Sequence, residues 1–101
     1  MAPQLEAQIP RIKTLCKNHN VITLFAFGSV LRSDFNPESD IDLLVDIDSA
    51  DPYTYTDYYF SLKEQLEKLL GRQIDLLEQR ALKNPYFISE IERKKMLIYG
   101  R

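Results

Sequence analysis

Residues 25–48 read FAFGSVLRSDFNPESDIDLLVDID: an apolar run, a Gly-Ser turn and, ten residues past the serine, an Asp-x-Asp pair that opens a strongly alternating segment. Ile41, Leu43, Val45 and Ile47 share one side of that alternation, and Asp40, Asp42, Leu44, Asp46 and Asp48 share the other. This predicts a strand with one buried face. Just upstream, residues 21–27 (VITLFAF) are apolar on both alternations and rich in β-branched and aromatic side chains, so a strand covered on both faces is expected, ended by Gly28. Residues 29–32 leave room for a helical turn before Asp34, Asn36 and Pro37 impose a loop.

The flanks supply layers to pack on this pair of strands. Leu5, Ile9, Ile12, Leu15 and Cys16 recur at helical spacing, with Pro10 marking either a kink or the true start of the helix. His19 then falls in a turn-rich stretch and is expected to be exposed. Asp51-Pro52 reads as a helix cap and first turn, followed by a stripe of Tyr55, Tyr58, Tyr59, Leu62, Leu66, Leu69 and Leu70 that Gly71 terminates. Residues 72–78 (RQIDLLE) form a third strand candidate. Asn84-Pro85 opens a last helix whose Phe87, Ile88 and Ile91 are expected to face inward, and residues 96–99 read as an edge strand or a frayed helix end. The order of elements predicts an α/β fold: a small mixed sheet of three to four strands flanked by helices.

Bulk properties narrow the function. A chain of 101 residues is expected to form one domain, 1–101, with a single core and no separate substrate domain. Residues 1–13 lack the pattern of a signal peptide and no apolar run reaches about 18 residues, so a cytoplasmic protein without a membrane span is expected. With one cysteine and one histidine, no zinc cluster or internal disulfide is available, and any metal must be held by oxygen. A net charge of −2 disfavours nucleic acid as a partner, and the basic residues Arg93, Lys94, Lys95 and Arg101 read as a solvated helix end.

Asp40 and Asp42 are the residues most suggestive of chemistry. On a strand their Cα atoms lie roughly 6.5 Å apart on one side, so their carboxylates can converge on one ion. Left unpaired they repel; a bound Mg²⁺ removes the conflict and still accepts waters and phosphates as its other ligands. Gly28 and Ser29 suit the phosphate side, the glycine by permitting close backbone approach and the serine by a hydroxyl and the N–H groups of a helical turn. Asp75 can complete the set if its strand lies beside that of Asp42, as ligand to a second ion or as acceptor of a proton from an attacking hydroxyl. A Gly-Ser turn or an Asp-x-Asp pair alone is usually structural. Four fixed residues at this spacing match by chance on the order of once in 10⁵ start positions.

Gly28-Ser29, ten residues, then Asp40-x-Asp42 resembles the signature of the nucleotidyltransferases related to DNA polymerase β, and most closely the minimal nucleotidyltransferase (MNT) antitoxins of HEPN-MNT toxin-antitoxin pairs. GSVLR, SDIDLLVD, LKEQLEKLLGRQIDLL and LIYG follow in the order of that family. The resemblance implies a palm-like fold in which Asp40, Asp42 and Asp75 hold Mg²⁺ and Gly28 and Ser29 hold the triphosphate of ATP. It implies transfer of AMP to a tyrosine of a cognate HEPN ribonuclease toxin, within a hetero-oligomer, and gives Arg32 a role on phosphate charge. Ser33 departs from the glycine many members carry after that arginine. The rival reading is an antitoxin that inhibits its toxin by contact without catalysis, for which Tyr53, Tyr55, Tyr58 and Tyr59 would be an interface; their helical spacing also fits core packing.

Overall fold

The computed structural model describes residues 1–33 and 35–101, so the expectation for Asp34 lies outside the described residues. In chain order it contains α1 (Pro3–Ala7), α2 (Ile9–Asn18), β1 (Val21–Phe27), a 3₁₀ turn (Gly28–Leu31), β2 (Ile41–Ile47), α3 (Pro52–Leu70), β3 (Ile74–Glu78), a second 3₁₀ turn (Gln79–Ala81), α4 (Pro85–Lys94) and β4 (Met96–Gly100). The strands form one sheet in the order β3-β2-β1-β4. β1 is antiparallel to β2 and β4, whereas β2 and β3, joined through α3, are parallel. The mixed four-stranded sheet with flanking helices is the architecture expected from the order of elements.

Local chemistry explains the element ends. Asp51 caps α3 by accepting from the Thr54 amide at 3.0 Å and its hydroxyl at 2.6 Å, hydrogen bonds that hold the Asp51 carboxyl below its usual pKa. Asn84 caps α4 through the Tyr86 and Phe87 amides, and Gly71 closes α3 in the left-handed conformation at φ 65°. At the N-terminus the helix is interrupted at Gln8, so Pro10 lies in the first turn of α2, where its missing N–H costs nothing. The chain ends in a strand, not a frayed helix: β4 pairs with β1 along one edge of the sheet.

The main core lies on one face of the sheet. Ile41, Leu43, Val45 and Ile47 of β2 pack there with Ile12 and Cys16 of α2 and Tyr55, Leu62 and Leu66 of α3. Burying each such aliphatic side chain stabilises the fold by about 1.5 to 3 kcal/mol. Tyr58 and Tyr59 are half-buried against the same core, so the tyrosine stripe is chiefly packing; Tyr53, outside the stripe, is exposed. The residues before α1 are tied to the 3₁₀ turn: the Ala2 amide donates to the Val30 carbonyl at 3.0 Å, fastening the Gly-Ser turn.

Several expectations are corrected. The polar face of β2 is not open, because Leu44 is fully buried there with Phe27 and Ile91 under α4. Asp46 and Asp48, on that same side, carry ion pairs: the first lies 3.4 Å from Arg80 and the second, exposed, 2.8 Å from Arg101. Phe87 is 41% exposed and meets Phe27 edge-on, leaving Ile91 as the buried anchor of α4. His19 is buried, not exposed. Its Nδ1–H donates to the Leu15 carbonyl at 2.7 Å, which leaves Nε2 to accept from Ser61 at 2.9 Å across to α3. A histidine at a helix end was swept inward because α3 supplies polar partners that no local pattern reveals.

Candidate active site

The parallel pairing of β2 and β3 puts Asp42 directly opposite Asp75. The antiparallel pairing of β2 and β1 puts Asp42 opposite Phe27, the residue before Gly28. Two carboxylates and the Gly-Ser turn therefore meet at one end of the sheet. Asp40 lies just before β2 and not within it, exposed at the mouth of the same cluster.

Gly28 serves two constraints at once. It adopts φ 73°, which disfavours any side chain, and a Cβ placed on it would lie 2.3 Å from Oδ2 of Asp42. The absent side chain is the space the carboxylate occupies. Ser29, by contrast, turns its hydroxyl to the chain and donates to the Asp40 carbonyl at 3.3 Å, tying the turn to the carboxylate segment. The loop before Asp40 is held from the other side by Arg72, which donates to the Asn36 and Ser39 carbonyls at 2.8 and 3.0 Å and stacks on Phe35 at 4.3 Å. The Ile41 amide completes this brace on the Gln73 carbonyl at 3.2 Å. Sequence reasoning passed over Arg72, because its partners are backbone carbonyls more than thirty residues away and leave no motif.

Electrostatics single out Asp42. Burial raises its pKa above the usual carboxylate value, the charges of Asp75 and Asp40 raise it further, and Arg32 opposes them. Arg32 follows the 3₁₀ turn, exposed, so all six residues expected at the site fall around one turn and two strand ends. A cavity of about 420 Å³ opens beside them, lined by Gly28, Leu31, Arg32, Lys94 and Met96. A wider one of about 470 Å³ lies among residues 1–4, 31–33 and 35–37 and Arg72; Arg32 borders both cavities and none of the three carboxylates lines either.

The carboxylates suit a hard divalent cation in kind: all-oxygen donors, with the Asp42 carboxyl raised in pKa by burial and by the charges of the other two. Among the described residues no three such side chains already stand gathered for an ion.

The family model "Polymerase beta, Nucleotidyltransferase" matches residues 11–101. The chain belongs to this family. A relative from Methanocaldococcus jannaschii, to which protein adenylyltransferase activity is ascribed, is 37% identical over 86% of this chain and 84% of its own length. A solved minimal nucleotidyltransferase is 30% identical with a TM-score of 0.78, covering 95% of both chains. The MNT antitoxin solved with a tri-AMPylated Shewanella oneidensis HEPN toxin shares the fold at a TM-score of 0.66 and 17% identity, over 95% of this chain and 72% of that one. The protein is thus a nucleotidyltransferase of the adenylyl-transferring kind, built on the polymerase β-like palm and taking a nucleotide as substrate.

Proposed function

We propose that this nucleotidyltransferase moves AMP from ATP to a tyrosine hydroxyl of a cognate HEPN ribonuclease toxin and so silences it. The observation that carries the reading is the pairing of Asp42 with Asp75 beneath Gly28, inside a family whose relatives are named for protein adenylylation. An antitoxin solved on an AMPylated HEPN toxin supports the choice of partner. The whole of 1–101 acts as one minimal domain in this reading, in the cytoplasm, where ATP is made.

Asp40, Asp42 and Asp75 would hold Mg²⁺, with two ions accommodated by three carboxylates. The metal supplies charge neutralisation on the transferred α-phosphoryl group and on the departing pyrophosphate. The chain's own residues do the rest. Gly28 lets the backbone of the turn approach the triphosphate, and the amide groups of the turn seat it. Ser29 keeps the turn against Asp40, while Arg32 faces the phosphate charge from the rim. Asp75, exposed beside Asp42, is positioned to take the proton of the incoming tyrosine hydroxyl as that oxygen attacks phosphorus and pyrophosphate leaves.

The test is transfer of label from ATP, with Mg²⁺, to the protein encoded beside this one, comparing wild type with the Asp40→Ala/Asp42→Ala double variant. Label on a partner tyrosine that disappears in the variant is the expected result. A variant that transfers nothing yet neutralises the toxin as well as wild type overturns the reading in favour of inhibition by contact, for which the exposed Tyr86, Phe87, Met96 and Leu97 offer the surface.

A further inference from the structure

Three consecutive cations end α4, and the structure sorts them. Arg93 is spent on Glu90, with Nη2 donating to its two oxygens at 2.9 and 3.0 Å. Lys95 is spent on Glu92 at 2.7 Å and on the face of Phe25, 3.9 Å from the ring centre. Among the described residues Lys94 has no hydrogen-bond or ion-pair partner. It borders two cavities, of about 420 and 180 Å³, and both share Gly28 and Arg32 as their other walls. Glu90 also borders the smaller one, but Arg93 already neutralises it.

We propose that Lys94 is a substrate-binding residue that contacts the β- and γ-phosphates of the nucleotide from the side of α4, opposite Arg32. This rests on the nucleotide reading of the Gly28 turn given above. The physical need is plain. A chain of net charge −2 with three carboxylates at the site must receive a polyanion, and cations on only one rim leave the far end of the phosphate tail facing water. A flexible lysine at the open rim supplies a mobile point charge where the tail projects beyond the turn. The C-terminus of a helix favours any cation, and Arg93 would satisfy it equally. The helix dipole therefore does not explain why this one alone is left unpaired against the cavity.

The experiment measures equilibrium binding of ATP, inorganic pyrophosphate and AMP, each with Mg²⁺, to full-length wild type, Lys94→Ala, Lys94→Arg and Arg93→Ala. In Lys94→Ala the Kd for ATP and for pyrophosphate should each rise about tenfold, the loss of one charge-assisted contact, while that for AMP stays at the wild-type value. Lys94→Arg should remain within about threefold of wild type, and Arg93→Ala, which bares Glu90 at the smaller cavity, should lose clearly less affinity than Lys94→Ala. ATP binding by Lys94→Ala equal to wild type overturns the proposal, as does an equal loss for AMP or for Arg93→Ala. A wild type that binds neither ATP nor pyrophosphate overturns the nucleotide reading itself, and Lys94 with it.

Discussion

The two faces of β2 are built from the same seven residues and do opposite work. On one, Ile41, Leu43, Val45 and Ile47 are dry and interchangeable in kind, each held by nonspecific packing against α2 and α3. On the other, Asp42 and Asp46 flank a fully buried Leu44, and each position has a different neighbour: Asp75 and the Gly28 turn, the aromatic cluster under α4, and Arg80. The first face contributes stability. The second gives some back, because Asp42 is raised in pKa by burial and by its own neighbours, an arrangement that only a cation or a proton relieves.

The sharpest way to break this contrast is Asp42→Asn. Adenylyl transfer should fall on the order of 10³-fold, as expected when a charge stabiliser of the transition state is removed. The metal-free protein should melt at the same temperature or higher, since the substitution removes a burdened carboxylate. Leu43→Ala should do the reverse, losing about 2 to 5 kcal/mol in chemical denaturation while the folded fraction keeps its turnover. Activity lost equally per folded molecule in both variants would erase the distinction between the faces.

Gly28→Ala tests the border between them. An added methyl must displace the Asp42 carboxylate and sit at positive φ, which should cost about 1 to 3 kcal/mol and most of the activity together. pH sharpens the same point. Because the Asp42 pKa is higher folded than unfolded, its contribution to the stability of the metal-free protein is fully present below the ordinary value of 3.8 and is lost as pH rises through the folded pKa. Divalent cation binds the ionised form, so its affinity should increase over that same rise. The difference in melting temperature between wild type and Asp42→Asn should therefore change across acidic pH in one direction with chelator and in the other with Mg²⁺, a comparison in which the opposite contribution of Asp51 cancels. The smallest effect belongs to Asp46→Ala: removing a half-exposed ion pair with Arg80 should shift stability by less than about 1 kcal/mol and leave transfer intact.

Much of this was legible from residue order. The alternation of residues 40–48, the caps Asp51 and Asn84, the stop at Gly71 and the tyrosine-leucine stripe all carry local signals, and each element formed where its signal lay. Gly28 and Asp42 were recognisable by their spacing, but the reason for Gly28 was only half visible. The sequence implies a permissive turn, and the structure adds that Asp42 fills the place of its missing side chain. His19 was misread for want of any nearby partner, because Ser61 lies forty-two residues away.

The sequence by itself determined the period of every strand and helix and the presence of four residues whose chemistry belongs together. Those features depend on backbone geometry repeating over a few residues. Only the tertiary structure decided what covers each face and which distant groups meet. Asp42 opposes Asp75 because β3 pairs in parallel with β2 in one register, and a shift of a single residue would send that carboxylate into the core. Arg72 braces the segment before Asp40, and Lys94, unpaired among the described residues, borders the same cavities as Gly28, for the same reason: their neighbours are chosen by packing across the fold, a long-range outcome that no short stretch of chain can state.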